Sequence, residues 1–334
     1  VWSSEVCSSD LPDGESFTIN ISFIPTAAGT ANGELEIIEA GTSASYKVAL
    51  TGTGISYDPV GGLISDSSSV CSQLDSIFCV DHEDVPAGHR VTDQDIINWF
   101  LADHYRAGII NPGAIDIVAD PSGDSGRGNV MRVFQKEGTL GFDRPSGGQW
   151  RSWPGAHEEL YFAYDFYMEP APRLWSKAQK LPGLMGGDWS AASGGTIGGV
   201  PDGLNGWSAR LQMYSTQAFP GKGEGALCGY LYHATKFQDY RWADDDPGGQ
   251  FNFERGRWYR IEQRVKMNDV GQDNGIHQLW VDGVLVQSSK NIRWRTVNTL
   301  GIDGVYFLFG YGGNDSSFYA PEDQHNYFDN WVLS

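Results

Sequence analysis

The stretch "GWSARLQMY" (Gly206–Tyr214) decides how the chain is to be folded. As a strand it sends Ser208, Arg210, Gln212 and Tyr214 to one face, and Trp207, Ala209, Leu211 and Met213 to the other. One face is apolar enough to lie on a core, and the other is a strip of hydrogen-bonding groups. "GYLYH" (229–233) repeats the pattern: Tyr230 and Tyr232 share a face, with Leu231 and His233 opposite. Two such strands side by side would floor a groove suited to a hydroxyl-rich ligand. On spacing alone the bland reading also stands, since strand tyrosines are common and an outward arginine is usually solvated.

The same alternation recurs in "ELYFAYDFYM" (159–168), "WYRIEQRVKM" (258–267), "HQLWVDGVLV" (277–286) and "VYFLFGYGG" (305–313). "VDGV" inside the third is a two-residue hairpin signal. A helix is expected over "TDQDIINWFLADH" (92–104), capped by Thr92 or Asp93, with Ile96, Ile97, Phe100 and Leu101 as its apolar stripe. Many short strands and little helix predict an all-β protein, a two-sheet β-jelly-roll of the concanavalin-like sandwich type.

Composition agrees: 334 residues hold 43 Gly, 12 Trp, 15 Tyr and 16 Phe, which suits a turn-rich β fold with aromatic platforms. The formal net charge of −19 argues against nucleic acid, because phosphate binding needs a basic footprint. It leaves a polyanionic substrate open, since charges beyond a Debye length of roughly 8 Å are screened. No apolar run reaches the ~18–20 residues of a membrane span.

Four regions are expected. Val1 to Leu11 is set aside, because Cys7 to Leu11 reads like the translated end of a sequencing adapter. Residues 12–56 alternate at Phe17-Ile19-Ile21-Phe23, Leu35-Ile37 and Tyr46-Val48-Leu50, and close on "VALTGTG", like the last strands of a truncated immunoglobulin-like module. Residues 57–70 read as a Gly/Ser/Asp-rich linker, and 71–334 as the main domain. Cys71 and Cys79, eight apart, either close a small loop or remain thiols; Cys228 reads as a buried small residue. No Cys or His spacing suggests zinc.

In "SKAQKLPGLMGG" (Ser176 to Gly187), Lys177 reads as solvated, whereas Lys180 stands just ahead of what looks like a Pro-Gly turn. "KLPGL", "WSAR", "YLYH" and the closing "NYFDNWVLS", taken in that order, resemble polysaccharide lyase family 14, which contains alginate and glucuronan lyases. The resemblance covers about residues 81–334. It implies a secreted or cell-surface bacterial enzyme, here without a signal peptide, that cleaves a polyuronate by β-elimination and acts as a monomer on an acidic polysaccharide. Carried over by position, the active-site lysine falls on Lys180, the Ser-x-Arg pair on Ser208 and Arg210, and the paired tyrosines on Tyr230 and Tyr232. Lys180 and Arg210 would stabilise charge on the uronate carboxylate, with Lys180 as neutraliser or base. Tyr230 or Tyr232 would move protons, and Ser208 would orient. Gln212, Tyr214, His157 and His233 are expected to touch substrate.

No cofactor is required for that chemistry. "VDHEDVPAG" and "YFDNWVLS" resemble the segments that hold a structural Ca²⁺ in many jelly rolls, through Glu83 and Asp329; ordinary turn acids are the other reading. "ADDDPGG" (243–249) reads as a solvated loop. Two rivals remain. A jelly-roll glycoside hydrolase would need two carboxylates on one groove, drawn from Glu158, Glu159 and Asp165. A non-catalytic carbohydrate-binding protein would need aromatic platforms but neither cation.

Overall fold

In the computed structural model the chain divides into two units, Val1–Val60 and Gly61–Ser334. The described residues are 2–4, 21–23, 29–38, 45–54, 71, 76–102, 110–188, 201–242 and 251–334, less single positions 125, 142 and 314. In the first unit, β1 (Trp2–Ser4) pairs antiparallel with β2 (Ile21–Phe23), and β3 (Gly29–Ile38) with β4 (Ser45–Gly54). Leu35 lies opposite Val48 and Ile37 opposite Tyr46, as their alternation suggests. Strand β1 falls in the stretch that the sequence reading set aside. Phe17 and Ile19 lie outside the described residues, as does the expected linker.

The second unit begins with a disulfide between Cys71 and Cys79. It then runs β5 (Phe78–Val80), α1 (Asp93–Phe100), β6 (Ile115–Ala119), β7 (Asn129–Gln135), β8 (Gln149–Arg151), β9 (Glu159–Met168) and β10 (Ala178–Gly187). There follow β11 (Gly206–Tyr214), β12 (Ala226–His233), β13 (Lys236–Trp242), β14 (Trp258–Lys266), β15 (Gly275–Val281) and β16 (Val284–Ile292). The last are β17 (Gly304–Leu308), β18 (Gly310–Tyr311) and β19 (Gln324–Leu333). One sheet has the order β13-β12-β11-β10-β17-β8, with β18 beside β10; the other has β16-β15-β14-β9-β19-β7-β6, with β5 beside β19. All pairings are antiparallel, so the expected two-sheet sandwich is present.

Aromatic rings fill the space between the sheets. Trp150 stacks on Phe307 at 4.9 Å, Phe309 meets Phe328 of the opposite sheet at 4.9 Å, and Tyr164 lies 4.9 Å from Trp331. Helix α1 adds Phe100, 4.9 Å from Phe307. Its start is a capping box, Thr92 with Asp95. Its end corrects the expected stripe: Leu101 is the left-handed cap (φ 53°) and is 42% exposed. Asp282 and Gly283, both at positive φ, make the expected β15–β16 hairpin.

The Pro-Gly stretch after Lys180 is not a turn. It lies inside β10, where the β10–β11 register slips between Leu181 and Leu184. That bulge adds one residue, so Leu181 and Leu184 both face the core, while Lys180 and Met185 share the outer face of the sheet. A proline is tolerated there because its missing N–H falls where the ladder is already broken. Glycine is required: a Cβ on Gly183 would come within 2.2 Å of the Ala209 carbonyl oxygen.

The polar groups released by the bulge are met from the opposite sheet. Gln263 of β14 accepts from the Leu184 N–H (2.8 Å) and donates to the Ala209 carbonyl (2.5 Å). The Tyr164 hydroxyl donates to the Pro182 carbonyl (3.3 Å). Gln263 is itself held by His277 (2.9 Å), and His277 by Gln287 (2.8 Å). Burial keeps His277 neutral by lowering its pKa to about 3.

Glu83 and Asp329, the expected calcium ligands, have protein partners in the fold. Asp329 faces Arg127 (2.6 Å), which also binds Asp165 (2.9 Å) and lies 4.1 Å over the Trp258 ring. Glu83 lies beside Gly128 and accepts from the Asn129 N–H (3.4 Å). Among the described residues no three metal-ligating side chains gather.

Gln263→Met, which keeps the volume but strands the Leu184 N–H and Ala209 carbonyl, is expected to lower unfolding free energy by about 2–5 kcal/mol. Denaturant unfolding reads this directly; an unchanged midpoint would show that the bulge does not depend on Gln263.

Candidate active site

On the outer face of the first sheet, register brings the expected residues together. Lys180 is opposite Gln212, Arg210 opposite Tyr230, and Ser208 opposite Tyr232. Lys180 Nζ donates to Gln212 Oε1 (2.5 Å) and sits 3.7 Å from the centre of the Tyr230 ring. The Tyr230 and Tyr232 hydroxyls share a 2.6 Å hydrogen bond. Arg210 is enclosed by three rings, with its Cζ 5.2 Å from Tyr230, 4.9 Å from Tyr232 and 4.7 Å from Tyr306.

Tyr306 of β17 is the member that sequence reasoning missed. Its strand was expected, and alternation sets Tyr306 and Leu308 against Val305 and Phe307. Nothing in one strand's sequence says which of these pairs looks outward, because both are apolar.

The electrostatics are unusual for so acidic a chain. Four lysines or arginines are buried among the described residues: Arg151, Lys180, Arg210 and Arg295. Arg151 holds Asp303 (2.6 Å) and Arg295 holds Glu158 (2.6 Å). Neither Lys180 nor Arg210 pairs with a carboxylate of the described residues. Arg210 keeps Nε and Nη2, the side-on edge of its guanidinium, without a hydrogen-bond partner. That edge matches the two oxygens of a carboxylate. Both donors are shielded from water, so a carboxylate that takes them must part the surrounding rings.

Burial and the adjacent Arg210 charge press the Lys180 pKa well below the ordinary lysine range. Burial, together with Tyr232, pushes the Tyr230 hydroxyl the other way, well above an ordinary tyrosine. The two shifts thus run in opposite directions at neighbouring groups.

Of the other expected contacts, Gln212 shares the outer face with Lys180 and accepts its hydrogen bond. Tyr214 is buried among Phe219 (4.8 Å), Trp242 (5.6 Å) and Tyr240 (5.8 Å), and forms part of a wall. His233 lies on the core side, bound to Asp239 (3.1 Å) and edge-on to Trp294 (5.9 Å). His157 sits between β8 and β9, with its backbone bonded to Ile302 and its ring 3.4 Å from the Pro154 carbonyl. The hydrolase carboxylates belong to the other sheet, and each meets arginine: Glu158 with Arg295, Glu159 with Arg264 (2.7 Å), Asp165 with Arg127 and Arg260 (3.2 Å). The 243–249 loop lies outside the described residues.

Comparison with known proteins places this arrangement. The family described as Polysaccharide lyase 14 matches residues 124–331. Among solved structures, the alginate lyase Aly36B aligns with a TM-score of 0.61 at 22% identity, covering 77% of this chain and 95% of that one. A marine PL-14 alginate lyase from Aplysia kurodai aligns at 0.55 with 20% identity, covering 78% and 99%. At these identities the likeness establishes the shared sandwich. Among curated proteins, none matches the sequence significantly.

Because the folded state lowers the Lys180 pKa, the unfolded chain binds the extra proton between that value and about 10.5. Stability from this group is therefore lost as pH falls and regained as pH rises towards 10.5. Lys180→Met should melt higher than the parent at pH about 7, with the difference shrinking towards pH about 10. Parallel melting profiles would contradict the buried, proton-poor amine.

Proposed function

We propose, because the chain belongs to the polysaccharide lyase 14 family, that this polysaccharide lyase acts on a polyuronate of the alginate or glucuronan class. The observation that carries the substrate class is Arg210, a buried cation that meets no carboxylate among the described residues. In a chain of 42 acidic residues its counter-charge is supplied by the ligand. Arg210 offers it a two-donor edge.

β-Elimination takes the proton from C5 of the uronate, forms the C4–C5 double bond with the freed electron pair, and expels the C4 oxygen. That oxygen then needs a proton. As the C5 proton leaves, a second negative charge builds on the neighbouring carboxylate, and the Arg210 fork stabilises it in a site sheltered from water. Lys180, held proton-poor by burial and by Arg210, is the base. The Tyr230–Tyr232 pair, whose hydroxyls already share a hydrogen bond, is the acid for the departing oxygen. Ser208, opposite Tyr232, orients the sugar. The step draws on side chains alone.

A polymer of this kind is met outside the cell, so we infer a secreted or cell-surface enzyme, acting as a monomer. The β3–β4 hairpin fits an immunoglobulin-like spacer preceding the lyase unit in the chain. A hydrolase reading has no comparable support, since its carboxylates are engaged by arginines on the other sheet.

Incubation with alginate or glucuronan should give new near-ultraviolet absorbance from the unsaturated ends, whereas a hydrolase would give only reducing ends. Lys180→Arg keeps a long nitrogen-bearing side chain but cannot give up its proton, and should lose about a hundredfold or more in kcat. The parent rate should climb with pH through the depressed Lys180 pKa. An active Lys180→Arg variant with an unchanged pH profile would remove Lys180 from the base role.

A further inference from the structure

Trp153, just past β8 at the edge of the catalytic sheet, is half exposed (50%), yet it is not loosely placed. Its ring lies 3.9 Å from the Arg151 guanidinium carbon. Arg151 is itself fixed, donating to the Gly187 carbonyl (2.5 Å) and to Asp303 (2.6 Å), and is 1% exposed. Asp303 neutralises the arginine and also accepts from the Gly187 N–H (2.9 Å), which ties the support to the end of β10. One face of the indole thus rests on a rigid, charge-compensated base, while the ring stays open to solvent.

Register shows where this ring stands. Arg151 is opposite Tyr306, and Tyr306 opposite Gly183 of the bulge. Ser152 continues the ladder through both its backbone and its hydroxyl to Val305. The next residue, Trp153, then falls level with Gly304, which pairs with Met185, opposite Ser208, opposite Tyr232. The row that carries two of the site residues therefore ends on Trp153. Two strand spacings, about 10 Å, separate β8 from β10. Above Gly304 lie Arg151 and Met185, whose Nε and Cγ stand 2.9 Å and 3.2 Å from where a Cβ would be, so these two side chains bridge Trp153 to the site.

We propose that Trp153, backed by Arg151, is a stacking platform for a sugar ring of the polyuronate chain lying away from the bond that is cut. A pyranose carries C–H groups on one face, and that face packs on an indole while the hydroxyls and carboxylate at its rim stay in water. The occupant is a sugar of the substrate because the platform continues the site's own row across the same sheet face. This inference rests on the lyase reading for its choice of sugar.

The test compares parent, Trp153→Ala and Trp153→Phe on polymeric alginate or glucuronan and on the shortest oligosaccharide that is cleaved. Melting curves check that each variant folds. Trp153→Ala should raise KM for polymer about five- to tenfold with kcat nearly constant, and Trp153→Phe should restore most of the loss. The shortest oligosaccharide, which does not reach β8, should show no such rise. An unchanged polymer KM, or the same rise on both substrates, overturns the platform. If the parent eliminates no polyuronate at all, the lyase reading fails separately. The platform is then judged by fluorescence on adding alginate, glucuronan or a neutral glucan. A change present in the parent and missing in Trp153→Phe supports it, and no difference with any of them overturns it. Light scattering that shows a Trp153-dependent dimer would make a second copy the occupant and overturn it too.

Discussion

Pro182 and Gly183 put one extra residue into β10, and the placement of the site follows from how that residue is accommodated. Without the bulge, strict alternation would put Lys180 and Met185 on opposite faces. With it, both face outward while Leu181 and Leu184 anchor the strand in the core. The cost is a set of backbone polar groups released deep in an aromatic interior, where each unmet group costs about 1–3 kcal/mol. Gln263 and Tyr164 reach across from the other sheet to meet them, and His277 and Gln287 steady Gln263 in turn. The second sheet is thus both the back of the core and the support of the active strand.

On that support the site does something a chain selected only for stability would avoid. It buries an amine and a guanidinium side by side, and among the described residues neither meets a carboxylate. Burying an unpaired charge is expensive, and proteins commonly respond by pairing or by neutralisation. Arg151, Arg295 and the more exposed Arg260 follow the first course. Lys180 follows the second, through its lowered pKa, with the Tyr230 ring 3.7 Å from its Nζ. Arg210 keeps its charge, and three tyrosine rings enclose it. The arrangement makes sense when the missing negative charge arrives with a ligand.

Much of this was legible in the sequence, because period-two alternation is a local property. It placed Ser208, Arg210 and Gln212 on one face of β11, and Tyr230 and Tyr232 on one face of β12. It also set His233 apart from them. What it missed were relations between strands. "LPG" reads locally as a turn, and only pairing on both flanks holds it as a bulged strand. Gln263 is a lone polar residue on the inward face of β14, and its purpose lies 79 residues away at Leu184. Arg127, 202 residues before Asp329, was not visible as its partner. Tyr306 shares its strand with equally apolar neighbours, so its face is set by β8 and β10 alone.

The central claim is that buried Arg210, with Lys180 beside it, recognises the substrate's carboxylate. It is tested most directly by calorimetric titration of the Tyr230→Phe protein, slowed in turnover, with a polyuronate oligosaccharide and with its carboxyl-reduced, neutral counterpart. Saturable binding of the acid form and none of the neutral form is the predicted result. Equal affinity for the two would contradict it, and would leave buried Arg210 without an assigned partner.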